Sequence, residues 1–382
     1  MSKKLRILAL LAGIGTLAGA VTATYYPTAI AVSTPAAPQQ LLSLASTASD
    51  YVSKAINPVV APLTVITTNP TDPLLTNPEI IEELASHGIK LTLKSPDTPG
   101  SSADAIWRTN TETAPPASTV APPVLICFSP LAVASWEPIQ RLFTWEQFIP
   151  HQVFSLATEL RFEPLAEIIH ARKTWNQLDQ RQRYYSNAQP IQLAVSTQQS
   201  SRLNVIYLHM LELAQRNAQA ALSPKDSAAQ VETVHTSTDP TSYAERIQNL
   251  LPLIPKSYSD PFEDYLNIGV GKVPLVLITE SQYLAAKYTH KLPASADPVL
   301  LYPSPTFVLK YSLQPQTPAG AKLATLLAEN SALRKIMEKR LGYRVPSLHN
   351  QSATDRPKLG PLVPDLTPEQ MAALNSAIAM RK

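Results

Sequence analysis

Three short runs decide how the chain is read: Leu63-Thr64-Val65-Ile66-Thr67, then Asn77-Pro78-Glu79-Ile80-Ile81-Glu82-Glu83-Leu84, then Gly88-Ile89-Lys90-Leu91-Thr92-Leu93. The first is short, β-branched and bounded by prolines, a strand signature. In the second, Asn77 stands at an N-cap and Pro78 in the first turn, and Ile80, Ile81 and Leu84 share one face at helical spacing. Gly88 falls where a helix end favours a positive φ, and residues 89–93 then alternate as a second strand. Strand, helix and strand within about thirty residues make a βαβ unit, which implies parallel strands and an α/β fold.

Outward from this unit, residues 95–123 are rich in Ser, Thr and Pro, with a short strand around Ala105-Ile106-Trp107. Residues 124–128 are continuously apolar, as in a buried strand. Helical patterns cover 162–171 and 204–221, with a strand at 192–195 between them. Residues 222–243 are polar and read as a loose loop. A helical region at 258–268 runs into Gly269 and Gly271, before a buried strand at 273–278. Residues 300–302 and 307–311 read as two further strands. Residues 319–341 read as helix in two pieces around Glu329-Asn330-Ser331, ending at Gly342. The tail begins at Val345-Pro346 and ends in a helix with Thr367 as N-cap, Pro368 next, Gln370 closing a capping box and Leu366 stapled to Met371. Met371, Leu374 and Ile378 form a narrow apolar stripe that docks on the body or on a partner, the body being the simpler expectation.

The chain has 382 residues, enough for two or three domains, with 36 Pro against 10 Gly. That ratio argues for stiff connections and against a Gly-rich phosphate cradle. The net charge of +3, with no basic block after Arg6, points to no nucleic-acid partner. The single cysteine, Cys127, lies in an apolar run and reads as a buried, inert thiol. Lys3, Lys4 and Arg6 precede a stretch without charge from Ile7 to Ser49, apolar from Ile7 to Val21. Residues 1–26 therefore read as a cleaved signal peptide or an uncleaved signal anchor. In both cases the body is exported, to the outer face of the cytoplasmic membrane or beyond, and an uncleaved segment would hold it to the membrane. Residues 27–62 are a Pro/Ala/Ser-rich spacer, with a short helix around 41–55.

No His pair has metal-ligand spacing, and no nucleophile elbow, Walker loop or dinucleotide fingerprint occurs. Glu263 and Asp264 are adjacent, so they diverge on a helix or strand and make a poor catalytic pair. The chain is read as a non-enzyme with no cofactor and no metal.

A longer stretch carries a resemblance. It runs Asp260-Pro261-Phe262-Glu263-Asp264-Tyr265-Leu266, Gly269-Val270-Gly271-Lys272, Val273-Pro274-Leu275-Val276-Leu277-Ile278-Thr279-Glu280-Ser281-Gln282-Tyr283-Leu284 and Leu301-Tyr302-Pro303-Ser304-Pro305-Thr306. It resembles the second half of bacterial extracytoplasmic solute-binding proteins of the periplasmic type 2 class, in an actinobacterial-like subgroup. Ser129 to Trp136, Thr174 to Leu178 and Ser196 to Asn204 resemble earlier parts of that pattern, and the match spans about Leu63 to Arg344. Thr67-Thr68-Asn69-Pro70 departs from the usual Gly-Ser turn, and 95–123 is shortened and Pro-rich.

The resemblance implies a two-lobed α/β architecture with parallel or mixed sheets behind the export segment. Lobe I would comprise 63–124 and 272–345, lobe II 125–271, and the tail 346–382. It implies capture of a small-molecule solute in an interlobe cleft for a membrane permease; the alternative is an envelope-associated module with a degenerate cleft. Ligand contacts would fall at strand ends and helix starts: Thr68, Asn69, Ser129, Trp175, Asn176, Thr197, Glu280, Ser281, Gln282 and Tyr302. Other readings stand beside these. Ser129 and Asn69 could serve as caps, Trp175 and Tyr302 as core aromatics, and Glu280 as a partner of Lys272.

Overall fold

The computed structural model describes residues 61–98, 102–112, 120–150, 158–178, 185–196, 200–222, 240–256, 259–293, 297–346 and 356–380. The export segment, the spacer and its expected helix lie outside the described residues, as does Thr197.

The opening βαβ unit is built as its residues dictate. β1 (Ala61–Thr67) and β2 (Ile89–Lys94) pair in parallel, joined by α1 (Pro78–Ser86). The Asn77 side chain accepts from the Ile80 N–H, and Gly88 takes φ 75°. β3 (Ala105–Thr109) adds in parallel to the other side of β1.

The structural pivot is β4 (Val124–Trp136), 13 residues long and buried almost throughout its second half. The apolar reading stopped at Phe128 because Ser129-Pro130 looks like a strand end. Pro130 is tolerated because the strand changes partners there. Val124 to Pro130 pair antiparallel with β9 (Val308–Pro315), whereas Leu131 to Trp136 pair with β7 (Val276–Thr279) and β8 (Pro298–Ser304). One sheet is thus β2-β1-β3-β9-β4. The second gathers β7 and β8 on either side of the same strand. β6 (Ala194–Val195) lies parallel to β7, and β5 (Thr158–Arg161) parallel to β8. The sheets are therefore mixed. The two strands read near 300 and 310 do not pair with each other: residues 305–307 carry the chain from one sheet to the other.

The helices agree with the sequence reading in part. α2 (Glu137–Trp145) follows β4 directly, and α3 is Phe162–His170. α4 (Ser200–Leu222) begins four residues before its apolar pattern does. α5 (Pro240–Leu250) starts inside the stretch read as a loop. α6 is Pro261–Asn267, and α7 (Glu280–Tyr288) follows β7 directly, where the sequence reading placed no helix. α8 (Pro318–Glu329) and α9 (Ser331–Lys339) break at Asn330, which caps the second. Gly342 follows with φ 72°.

The tail helix α10 (Pro368–Ala379) forms with its Thr367–Gln370 capping box and packs on α4 and α5. Of the expected stripe, Met371 and Leu374 are buried there and Ile378 is partly buried, with Ala377 buried beside them, so the stripe docks on the chain's own body. A Leu or Met side chain fully buried this way contributes about 1.5–3 kcal/mol. Cys127 is buried in β4, and Trp136 is core, donating its indole N–H to the Val273 carbonyl.

Two expected outcomes follow from this packing. Alanine ordinarily favours a helix over glycine by about 1 kcal/mol. At Gly320 in α8 a Cβ would sit 1.9 Å from the Asp104 carbonyl oxygen. Gly320→Ala should therefore destabilise by about 1–3 kcal/mol in urea denaturation, reversing the usual sign. The second concerns His209 in the buried face of α4, whose Nδ1 lies 3.1 Å from the Tyr243 hydroxyl. Burial, then the charge of Arg216, pushes its pKa down from 6.5 to about 4. The unfolded chain binds a proton there that the fold refuses, so stability should fall as pH drops from about 6.5 toward 4. His209→Gln should flatten that slope when urea midpoints are compared at the two ends of the window.

Candidate functional site

The carboxyl ends of β1 and β3 open toward the first turn of α4, and a cavity of about 580 Å3 lies between them. Thr67, Trp107 and Thr111 line it from buried positions, and Val205 from α4; Thr68 and Asn375 line it from exposed ones. Arg108 and Glu112 add charge of both signs to the wall. The volume falls within the range of about 300–1,000 Å3 typical of small-molecule sites.

Arg202 of α4 crosses this space. Its side chain is only 8% exposed. Nη2 lies 2.5 Å from Glu112 Oε1 and donates to Thr68 Oγ1 at 2.8 Å. Among the described residues Nη1 has no hydrogen-bond partner, and it stands 4.0 Å from Asp72 Oδ2. Asp72 is fully buried, accepts from the Trp107 indole N–H and the Leu74 N–H, and is pushed above the usual aspartate range by that burial. Glu112 in turn is held by the Thr109 hydroxyl at 3.1 Å. A helix that follows β6 of the second sheet is thus joined by one guanidinium to loops that follow strands of the first. The wall offers hydroxyls, an indole and both signs of charge, which suits a small polar solute. Among the described residues no group of His, Cys, Asp and Glu is placed to hold a metal ion, and no helix is long and apolar enough to cross a membrane.

The residues singled out from sequence are distributed over four places. Thr68 lines the cavity. Asn69 beside it accepts from the Thr71 hydroxyl, closing a local turn. Ser129 is fully buried where β4 changes partners, and its hydroxyl accepts from the Ser281 N–H at 3.0 Å. Ser281 and Gln282 open the first turn of α7, where Gln282 completes the capping box with Thr279. Both also line a separate cavity of about 220 Å3 with Phe262 and Tyr343. Trp175, 1% exposed, stacks on Phe143 and meets Tyr185 edge-on, so it offers no open face to a ligand. Asn176 next to it is exposed and accepts from the Ser186 hydroxyl.

Glu280 forms a centre of its own and does not pair with Lys272, whose amine meets Asp264 at 2.9 Å. It is 1% exposed and receives two bonds from Arg344, at 2.8 and 2.7 Å, one from Arg356 at 3.3 Å, and the Tyr302 hydroxyl at 2.7 Å. Burial, and then the charge of Glu280, holds the Tyr302 hydroxyl above the usual tyrosine range, so it remains a donor. This cluster binds the start of α7 to β8 and to the beginning of the tail. A charge at a buried strand end needs a partner, and here it has two.

Trp107, Thr111, Glu112, Arg202 and Asn375 were not singled out from sequence. The Ser/Thr/Pro-rich composition of 95–123 hid the end of β3. Placing the start of α4 at Asn204 left Arg202 outside the helix. The usable signal was a lone arginine flanked by Leu203, Val205 and Ile206, a charge embedded in a buried face.

No family model and no curated protein matches the chain. Comparison with solved structures gives partial likenesses. Apo ferric ion-binding protein A of Pasteurella haemolytica gives a TM-score of 0.47 at 10% identity, over 84% of this chain and 96% of that one. A two-component system protein of signal transduction gives 0.46 at 12%, over 84% and 100%. A periplasmic thiamin binding protein gives 0.44 at 11%, over 83% and 95%. Likeness at this level establishes neither a shared family nor a shared ligand.

Replacing Glu280 by alanine would leave Arg344 and Arg356 without their buried acceptor. Glu280→Ala should lose about 3–5 kcal/mol in urea denaturation, the cost of orphaning one side of a buried pair. A loss under about 1 kcal/mol would show that the cluster carries little of the fold.

Proposed function

We propose that this protein captures a small polar solute in the cavity between the ends of β1 and β3 and the start of α4, and delivers it to a membrane permease. The observation that supports this reading best is the cavity itself. It has the volume of a small-molecule site, lies at strand carboxyl ends, and is bordered by the first turn of a helix of 23 residues. The hinge would be the two passages between the sheets, one through Ser129-Pro130 of β4 and the other through residues 305–307. Such crossings absorb a domain closure with little change inside either sheet. Export to the outer face of the membrane, expected from the basic and apolar N-terminus, fits a role in uptake, as does the resemblance to periplasmic type 2 proteins.

Arg202 gives the reading its mechanism. Its Nη2 is held by Thr68 and Glu112, and a solute would compete for or extend those contacts. Its Nη1, which makes no hydrogen bond among the described residues, is a donor for which a bound solute would supply an acceptor.

A thermal-shift screen of the exported body with sugars, amino acids, carboxylates and oxyanions tests the proposal. A solute at about a thousand times its Kd stabilises by roughly 4 kcal/mol. Arg202→Gln and Trp107→Ala should each abolish that shift while the variants still melt cooperatively. If no solute in the panel stabilises the folded protein, capture is the wrong function.

A further inference from the structure

We infer that the C-terminal segment from Arg356 to Met380 is a strap that completes the solute cavity with Asn375 and controls access to it. The inference takes its purpose from the solute-capture reading, but the geometry behind it is independent of any ligand.

The strap makes contact along its length. At its start, Arg356 donates to the Gly342 and Glu338 carbonyls, each at 2.7 Å, and reaches Glu280. Next it passes the connection between the sheets: the Thr306 N–H donates to the Pro361 carbonyl at 2.9 Å, and the Val363 N–H to the Thr306 carbonyl at 2.8 Å. Asp365 then accepts from Asn110, just beyond β3, at 2.8 Å, and meets Lys310 of β9 at 2.5 Å. One residue later the chain buries Leu366 and enters α10, which lies on α4 and α5. Within a few residues the strap is therefore tied to the first sheet through Asp365 and to the helix carrying Arg202 through its apolar stripe.

The two attachments differ in strength. The Lys310 and Asp365 side chains are 42% and 48% exposed, so that ion pair is screened by solvent and is a weak tie. The apolar contacts of α10 are buried. Widening the gap between the ends of β1 and β3 and α4 would part the weak tie and carry α10 with α4. Asn375 would leave the cavity wall with it. The amide of Asn375 both donates and accepts, so the strap brings one of the polar contacts available to a bound solute.

Thiol labelling tests this without knowledge of the ligand. Cys127 is buried and its thiol is held well above the usual range by that burial, which makes the parent protein a silent background. A reporter is placed in the cavity as Thr111→Cys, a near-isosteric change at a position 5% exposed. Its rate of reaction with N-ethylmaleimide is then compared in three backgrounds. Adding Leu374→Glu, which undocks α10, should speed labelling by about tenfold, and adding Asn375→Trp should slow it by about tenfold, as expected for local opening controlled by the strap. Reaction at Cys127 would show that Leu374→Glu has unfolded the body. In that case Asn375→Trp, an exposed position, decides the matter. Rates within about twofold of the reporter alone in every folded background overturn the inference. Altered rates in a protein that binds no solute in the thermal-shift panel would support the gate and count against capture.

Discussion

A guanidinium that is nine-tenths buried must find acceptors, because a buried charge without them costs several kcal/mol. The acceptors of Arg202 are not on its own helix. They are Thr68 after β1 and Glu112 after β3, with Asp72 behind. That one side chain therefore sets the distance between α4 and the strand ends opposite, and the cavity is the space left beside it. Trp107 is fixed from the same centre, through its indole bond to Asp72. The wall of the cavity and the bridge across it meet at Asp72, which is hydrogen-bonded to Trp107 and 4.0 Å from the Arg202 guanidinium.

A second buried charge has a different task. Glu280 begins α7 directly after β7, beside the point where β4 changes partners, and it draws in Tyr302, Arg344 and Arg356. Ser129 donates no function of its own that is separable from this junction: its hydroxyl receives the next N–H of the same helix turn. The pivot between the sheets is thus held by polar bonds in a dry setting, where each bond is strong and each loss is costly. The two charged centres are built on different strands, so loss of one leaves the bonds of the other in place.

Much of the fold was legible in local chemistry. Asn77, Thr367 and Asn330 announced helix starts, and Gly88 and Gly342 helix ends, because caps depend on residues a few positions apart. The opening βαβ unit followed from periodicity alone. What escaped depended on distant partners. Pro130 looks like a terminator unless the change of strand partner is known. Thr279-Glu280-Ser281-Gln282 looks like a turn, although it is also a capping box. The site was less legible than the fold for the same reason. Trp175 and Glu280 have the chemistry of ligand contacts, but burial commits one to an aromatic cluster and the other to two arginines. Thr68 was found because it ends a strand. Its partner Arg202, 134 residues away, was missed because nothing local marks it.

The Arg202 bridge can be measured directly by a double-mutant cycle with Glu112, using Arg202→Met and Glu112→Gln and their combination in urea denaturation. If the pair joins α4 to the end of β3 as described, the coupling energy should be about 1–3 kcal/mol, well beyond additivity. Single losses that sum to the double loss within about 0.5 kcal/mol would contradict it, and the cavity would lose the interaction that defines it.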